Sequence, residues 1–376
     1  MLLGAVTLVN MVRWTYVRPL LLGSLLANGI LFMRFYTASD GYHSYDGVLT
    51  RWTAGSVSDA QKVIVGRKIL ALDMPEVKKH EVLRGFHRGD LSQGDLLKIL
   101  KEYAVKQEDS RSLNAALSGY KRRFPDAIII GCKKCGTTFF KRVLAQHPYI
   151  AMRPDESKFF YDADDDEKRK VYLKRAMARS FPDQITMVKE PTLLYFDDAP
   201  QFVRKVNSRA KLILLVRDPV CRLASDFFMG QRRGTIDVNV TFDELILDDK
   251  YKKKRNRLMT QSLLDERIQL WLTEFSLDRF LIIKNEDLLT SKFATILHDT
   301  ERFLEIPHSF QLQRNSSTTC ARNWINGSLI CSPLRQSSPV CSYEERFKDV
   351  FAMLKEVFRP HVSRFESLVH RKFNWF

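Results

Sequence analysis

From Phe124 onward, short apolar runs alternate with stretches of helical pattern, and this alternation restricts the fold more than any other feature of the chain. Three apolar runs have the composition of strands buried on both faces: residues 127–130, 212–216 and 280–283. Helical stretches at 138–146 and 219–229 follow the first two runs. Strand–helix succession of this kind predicts an α/β fold, a single P-loop-like domain with a central parallel sheet flanked by helices.

The first 33 residues carry no acidic side chain and are mostly apolar, with Arg13 and Arg18 ahead of an apolar run at 19–33. This pattern predicts a cytosolic tail and a membrane-spanning signal anchor, with the rest of the chain lumenal. A cleaved signal peptide is the alternative, but no small-x-small cleavage motif is evident after Phe32. Residues 34–122 are polar and predict a lumenal stem, in which 91–103 has the pattern of an amphipathic helix. The globular domain is therefore expected at 123–376.

The 376-residue chain has 60 Lys and Arg against 44 Asp and Glu, which gives a formal net charge of +16. This excess favours anionic partners such as nucleic acid, anionic lipid or acidic polysaccharide, and does not choose among them. The basic residues Arg232 and Arg233 and the run at 250–257 are candidate contacts for a polyanion, or else solvated faces. The acidic run at 162–167 lacks metal-ligand spacing and is expected to be a loop.

Lumenal placement is consistent with two further features. Three glycosylation triplets begin at Asn239, Asn315 and Asn326. Three cysteines, Cys320, Cys331 and Cys341, lie in a polar, turn-rich stretch that predicts a disulfide-closed loop with one thiol left over.

Residues 131–138, Gly-Cys-Lys-Lys-Cys-Gly-Thr-Thr, connect the first predicted strand to its helix. Gly131 and Gly136 have the spacing of the nucleotide-binding pattern G-x-x-x-x-G-K-[ST], but Thr137 stands in the lysine position. Lys134 supplies a cation two residues earlier, and the unpaired amides of a helix N-terminus also attract anions. The loop therefore predicts a phosphate site, with an ordinary strand-to-helix turn as the alternative.

The same loop contains Cys132-x-x-Cys135, which is the spacing of a redox pair. A dithiol centre does not require the Gly-Thr-Thr that follows, and a zinc site would need a second ligand pair. We interpret the two cysteines as packing residues.

The second strand ends at Arg217-Asp-Pro, where Asp218 can cap the next helix and Pro219 can occupy its first turn. Arg217 follows the strand at the sheet edge where open α/β folds bind ligands, and Ser225 comes two helical turns later. Together they predict a grip on a second phosphate, with a surface arginine paired to a carboxylate as the alternative.

From about Asp126 to the C-terminus, the chain resembles the Golgi sulfotransferases that modify glycosaminoglycans, especially the heparan sulfate glucosaminyl 3-O-sulfotransferases. The resemblance implies that the donor is 3′-phosphoadenylyl sulfate (PAPS). The implied donor contacts are Lys134, Cys135, Gly136, Thr137 and Thr138 at the 5′-phosphosulfate and Arg217 and Ser225 at the 3′-phosphate. It also implies a Cys320–Cys331 disulfide and a Golgi location as a single-pass type II membrane protein.

The resemblance implies that Glu156 is the catalytic base and that Lys189 lies near the transferred group. In the inferred mechanism, Glu156 takes a sugar hydroxyl proton while Lys134 and Lys189 stabilise the charge developing in in-line transfer, without a metal. The implied partner is a glycosaminoglycan chain rather than nucleic acid. Its candidate contacts, chosen for their positive charge, are Lys158, Arg232 and Arg233.

Three positions depart from the family pattern. Lys158 stands where the 3-O relatives carry histidine, and Glu190 stands where they have a small polar residue. Arg335 is the only candidate to replace a Lys-Gly-Arg segment that helps to hold the nucleotide. These departures leave room for a different glycosaminoglycan acceptor, and the altered segment permits a membrane-anchored glycan-binding protein without turnover. The rival enzyme class is a P-loop kinase or NTPase, against which Thr137 in the Walker lysine position and lumenal targeting argue.

Overall fold

The computed structural model describes residues 65–66, 68–69, 72, 74–87, 89–103, 117–152, 156, 160, 165–314, 318–322, 329–333, 341 and 343–376. The predicted anchor at 1–33 lies outside the described residues, as do Lys158, Arg335, Asn315 and Asn326. Among the described helices, none combines the length and the apolar composition needed to cross a bilayer.

Ten strands form three sheets in the described residues. They are β1 (Lys121–Arg122), β2 (Ala127–Gly131), β3 (Ile150–Met152), β4 (Arg179–Ser180), β5 (Ile185–Lys189), β6 (Lys211–Val216), β7 (Phe280–Lys284), β8 (Gln311–Arg314), β9 (Thr318–Arg322) and β10 (Leu329–Pro333). The central sheet has the order β3-β5-β2-β6-β7, and all its neighbouring strands are parallel. The predicted parallel sheet is therefore confirmed.

Helical residues occur at 65–66 and 68–69, and eleven α-helices with defined bounds follow them in the described residues. They are α1 (Glu76–His87), α2 (Gln93–Glu102), α3 (Thr137–Leu144), α4 (Asp166–Ala176), α5 (Ala199–Val206), α6 (Pro219–Arg232), α7 (Phe242–Leu247), α8 (Lys252–Thr260), α9 (Leu264–Leu272), α10 (Phe293–Leu304) and α11 (Lys348–Leu368). Short 3₁₀ turns occur between them, one of them at Asn285–Leu289 directly after β7.

The main core lies around the central strands. Every residue of β2 is buried, and β6 is buried from its second residue onward, because helices cover the sheet. Phe140 of α3, Phe202 of α5 and Trp271 of α9 are fully buried in this core. A second apolar cluster packs α6 and α7 against α11, with Phe227, Phe242 and Phe351 as its large side chains.

Part of the predicted stem packs on the domain. The rings of Phe86 in α1, Tyr120 and Phe181 lie 5.0–6.2 Å apart, and the Tyr120 hydroxyl donates to the Phe86 carbonyl at 2.7 Å. Arg179 of β4 donates to the Asp90 carbonyl at 2.6 Å. The amphipathic pattern at 91–103 forms α2. The boundary predicted at 122/123 is not tested by these contacts and stays a prediction.

Two charged runs are at least partly helical, and for the acidic one a loop was predicted. Asp165 caps α4 by accepting from the Lys168 amide at 2.8 Å, and Asp166 and Glu167 form its first turn. The expectation of a loop through 162–167 is thus wrong at these residues, because carboxylates near a helix N-terminus favour the helix. Most of the basic run at 250–257 lies in α8.

The antiparallel sheet β8–β9–β10 was not predicted. In it Cys320 of β9 lies opposite Cys331 of β10, and their sulfur atoms are bonded at 2.09 Å. The third late cysteine, Cys341, is a buried free thiol, as is Cys221 of α6.

Candidate active site

The carboxyl ends of the parallel strands meet at one edge of the sheet, and a cavity of about 790 Å³ opens there. β2 leads into the loop before α3, β5 ends at Lys189, β6 leads to Arg217, and β7 leads to Asn285. The predicted site residues that line the cavity are Lys134, Gly136, Thr137, Thr138, Glu156, Lys189, Arg217, Ser225 and Arg233. The two predicted phosphate motifs therefore face one cleft of a size suited to a nucleotide.

Two predicted contacts do not line this cavity. Cys135 is completely buried, and its carbonyl accepts from the Asn285 side-chain amide at 3.1 Å. Its sulfur lies within bonding distance of the equally buried Cys132 sulfur, so the interpretation of the two cysteines as packing residues alone is not borne out. Arg232, the last residue of α6, is exposed.

The loop between β2 and α3 takes its shape from two left-handed residues. Lys134 has φ 70° and Gly136 has φ 84°. A Cβ atom at Gly136 would lie 2.3 Å from Nδ2 of Asn285, so only glycine allows the loop to approach the chain after β7 this closely. No side chain caps α3, which begins at Thr137, so its first-turn amides are available to an anion in the cavity.

Arg217 lines the same cleft, beside the loop that carries Lys134. Its Nη1 donates to the Lys134 carbonyl at 3.3 Å, which ties the two motifs together. Its Nε is buried and has no hydrogen-bond partner among the described residues. A buried guanidinium N–H without an acceptor is costly, and an anionic ligand would satisfy it.

Asp218 holds the helix that carries Ser225. Its carboxylate caps α6 by accepting from the Val220 and Cys221 amides at 2.8 and 3.1 Å. Burial raises the pKa of Asp218 to about 6, although these two amides oppose the shift. The predicted cap is confirmed, and it orients the first two turns of α6 toward the cavity.

Glu156 and Lys189 form an ion pair in the cavity wall. The Lys189 side chain is only 2% exposed, whereas the Glu156 side chain is 43% exposed. Lys189 also donates to the Thr138 hydroxyl at 3.2 Å, so it links the carboxylate to the first turn of α3. The arrangement places a carboxylate, an ammonium and helix amides around one space.

Lys134 lies in a crowded cationic environment. Burial lowers the pKa of Lys134, and the neighbouring charges of Arg232, Lys133 and Arg217 lower it further, while Asp226 opposes them. Lys133 and Arg217 share the cavity wall with Lys134. Repulsion among these cations would be relieved by a bound anion.

Sequence reasoning missed several residues that shape the cleft. Asn285 and Met229 line it, and Lys134 approaches the Met229 sulfur at 3.4 Å. Asn285 follows the predicted third strand, and open α/β sheets bind ligands at the carboxyl ends of their strands. The reasoning that predicted Arg217 after the second strand therefore applies to Asn285 as well. Met229 carries no such signal.

Lys133 was also missed. It pairs with Asp226 of α6 at 3.0 Å, and Asp226 also pairs with the buried Arg222 at 3.1 Å. This network ties the loop between β2 and α3 to the helix that carries Ser225.

Comparison with known proteins agrees with this geometry. The sulfotransferase domain family matches residues 124–325. The chain is similar to heparan sulfate glucosamine 3-O-sulfotransferase 5 of Mus musculus, 27% identical over 68% of this chain and 75% of the relative. It is also similar to heparan sulfate glucosamine 3-O-sulfotransferase 3B1 of Homo sapiens, 27% identical over 73% and 71% of the two chains.

Among solved structures, a sulfotransferase from Alicyclobacillus acidocaldarius aligns with a TM-score of 0.47 at 19% identity, over 66% of this chain and 97% of that chain. The family match spans more than half of the 376 residues and contains the loop before α3, Glu156, Lys189, Arg217 and Ser225. The chain belongs to the sulfotransferase family, and it is a sulfotransferase rather than a P-loop kinase or NTPase.

Proposed function

We propose that this protein transfers the sulfuryl group of PAPS to a hydroxyl of a heparan sulfate glucosamine. Sulfotransferases in general use PAPS as the donor. The observation that carries the proposal is the single cleft in which Lys134, Arg217 and the Glu156–Lys189 pair face one another.

The donor would lie across the carboxyl edge of the sheet. The first-turn amides of α3 and the Lys134 ammonium would hold the 5′-phosphosulfate, because both complement negative charge. Arg217 and Ser225 would hold the 3′-phosphate, and the unpartnered Nε of Arg217 supports this assignment. Binding would place both anionic groups of the donor in the one cleft that these residues line.

The reaction would proceed by in-line displacement. The acceptor oxygen forms a bond to sulfur as the bond from sulfur to the 5′-phosphate oxygen breaks, and Glu156 accepts the hydroxyl proton. Two lysines would stabilise the charge on the sulfuryl oxygens and the leaving phosphate: Lys134 and Lys189. Lys189 is placed for this role by its contacts with Glu156 and Thr138. The leaving group is adenosine 3′,5′-bisphosphate, which gains negative charge on its 5′-phosphate. Lys134 and the first-turn amides of α3 would stabilise this charge.

The acceptor would approach from the basic side of the cleft. Arg233 lines the cavity, Arg232 precedes it, and both are exposed at the end of α6. The Lys254 ammonium of the basic helix α8 contacts the Thr235 carbonyl just beyond them. These cations and the net charge of +16 suit a sulfated polysaccharide. The similar proteins named above act on heparan sulfate glucosamine.

We further propose that the enzyme is a type II Golgi membrane protein with a lumenal catalytic domain. The apolar, acid-free segment at 1–33 and the glycosylation triplets support this topology. Asn239 is exposed and accessible to glycosylation. Endoglycosidase treatment of the expressed protein should shift its mobility, and Asn239→Gln should reduce that shift; an unshifted wild-type protein would contradict lumenal placement.

The function is tested by incubating the full-length protein with labelled PAPS and N-sulfated heparan, followed by disaccharide analysis of the product. Label in a 3-O-sulfated glucosamine would support the proposal, and label at another hydroxyl would reassign the acceptor position. Thermal stabilisation by adenosine 3′,5′-bisphosphate without turnover on any glycosaminoglycan would favour the glycan-binding alternative. At about 100 times its Kd, the nucleotide should add about 2.7 kcal/mol of stability.

A further inference from the structure

A cluster of one carboxylate and three imidazoles lies outside the cavity, around the end of α10. Glu301 is completely buried, and its Oε2 lies 3.1 Å from Nδ1 of His298 and 2.8 Å from Nδ1 of His308. The three ligand-type atoms all lie within 4.8 Å of one another. None of these side chains lines the cleft in which transfer is proposed.

The other oxygen of Glu301 is held by protein donors. Its Oε1 accepts from the amides of Ser309 and Phe310 at 2.7 and 2.9 Å. It also lies 3.1 Å from Nε2 of His147. Because Nδ1 of His147 accepts from the Tyr149 amide, the proton of the neutral ring is on Nε2 and points to Glu301. The carboxylate is therefore fixed, and only its Oε2 faces His298 and His308.

The end of α10 brings the second exposed histidine back to the helix. Glu305 adopts the left-handed conformation with φ 58°, and the Ile306 amide then donates to the Glu301 carbonyl at 3.1 Å. This turn places His308 beside the carboxylate of the residue seven positions earlier, while His298 precedes Glu301 by one helical turn. His298 and His308 are 51% and 64% exposed, so a cation can reach the site from solvent.

We propose that His298, Glu301 and His308 bind one Zn²⁺ ion. Bonds of about 2.0–2.1 Å in a tetrahedral site separate neighbouring ligand atoms by about 3.3 Å. The two Nδ1–Oε2 separations are within a few tenths of an ångström of this value. Two imidazoles and one carboxylate suit zinc, whereas Ca²⁺ and Mg²⁺ prefer oxygen ligands alone. Water would complete the coordination, and His147 would orient the carboxylate from behind.

The ion would link the end of α10 to the chain that leads into β8. Without the ion, Nδ1 of His298 and Nδ1 of His308 each form a hydrogen bond with Oε2 of Glu301. The ion would take the place of the hydrogen atom in both bonds. The site is separate from the proposed transfer reaction, so its presence or absence does not decide the proposed function.

Zinc binding is tested on the purified full-length protein, stripped of metal and titrated with Zn²⁺, and with Co²⁺ to record visible absorption. His298→Ala, His308→Ala and the double variant are compared with wild type. His370→Asn is the matched control, because His370 is an exposed histidine that is not part of the cluster. Its backbone is left-handed, a conformation that asparagine tolerates.

Wild type and the control should each bind one equivalent of Zn²⁺ and develop the absorption of tetrahedral cobalt. Each single variant should bind at least about 10-fold more weakly, and the double variant should lose that equivalent. Sulfuryl transfer should be the same in all of them. Absence of Zn²⁺ binding by wild type at about 100 times the protein concentration, or equal binding by the double variant, would overturn the proposal.

Discussion

Replacing Glu156 by glutamine tests the proposed base most directly. The Glu156 carboxylate pairs with the Lys189 ammonium, whose side chain is 2% exposed. A glutamine oxygen can still accept a hydrogen bond from that ammonium, but it cannot accept the proton of a sugar hydroxyl. The substitution therefore keeps the shape of the site and removes one chemical function.

The expected cost falls on the chemical step. General-base catalysis contributes about 10²- to 10⁴-fold, which corresponds to about 3–5 kcal/mol of activation free energy. The stability cost should be about 1–3 kcal/mol, because the glutamine oxygen keeps the hydrogen bond but leaves the 2%-exposed Lys189 ammonium without its carboxylate. Folding and donor binding should survive the change.

The assay measures kcat with labelled PAPS and N-sulfated heparan, and the affinity for adenosine 3′,5′-bisphosphate by calorimetry. Glu167→Gln is the matched control, because Glu167 also pairs with a lysine, Lys170 at 2.7 Å, and lies on α4 outside the cavity. We expect kcat to fall at least about 100-fold in Glu156→Gln alone, with nucleotide affinity little changed. A kcat within about 10-fold of wild type would remove Glu156 from the base role.

Arg217→Met should weaken the affinity for adenosine 3′,5′-bisphosphate about 10- to 100-fold in calorimetry, because charge-assisted hydrogen bonds contribute about 1.5–3 kcal/mol; an unchanged affinity would refute the 3′-phosphate assignment. Glu190→Gln should tighten the same affinity about 3- to 10-fold, because it removes a buried acidic side chain from the cavity wall, and weaker binding would contradict this reasoning. In the metal-free protein, burial raises the pKa of the Glu301 carboxyl group. Hydrogen bonds from His147, His308 and two backbone amides outweigh this effect and hold the pKa at about 2. The other titratable side chain in contact with Glu301 is His298. Since the unfolded pKa is about 4.3, this carboxylate contributes about 3 kcal/mol of stability that is complete above about pH 4.5 and is lost as the pH falls toward 2. Urea unfolding from pH 3 to 7 should show this slope in wild type and a flatter one in Glu301→Gln; equal slopes would contradict it. Replacing Cys320 and Cys331 by alanine should lower the free energy of unfolding by about 2–3 kcal/mol, since the bond closes a loop with a sequence separation of 11, and an unchanged urea midpoint would argue against the bond.

The sequence was sufficient to predict the central architecture and the two loops, at Lys134 and Arg217, that line the cleft. The uninterrupted apolar runs at 127–130 and 212–216 are removed from water only when both faces of each strand are buried. Parallel strands have their carboxyl ends at the same edge of the sheet. Lys134 and Arg217 follow two such strands, so their approach to one cavity is a consequence of topology. The cap at Asp218 depends on local hydrogen bonding and could be predicted for the same reason.

Other features depend on contacts between residues far apart in sequence, and only the tertiary structure decided them. Lys189 meets Glu156 across 33 positions, Asn285 reaches the Cys135 carbonyl across 150, and His147 meets Glu301 across 154. Short-range periodicity contains no information about such pairs. The packing of α1 against Tyr120 and Phe181 belongs to the same class. Local composition determines which segments must be buried, whereas the packing of the folded chain determines which polar side chains meet, and therefore where its chemistry takes place.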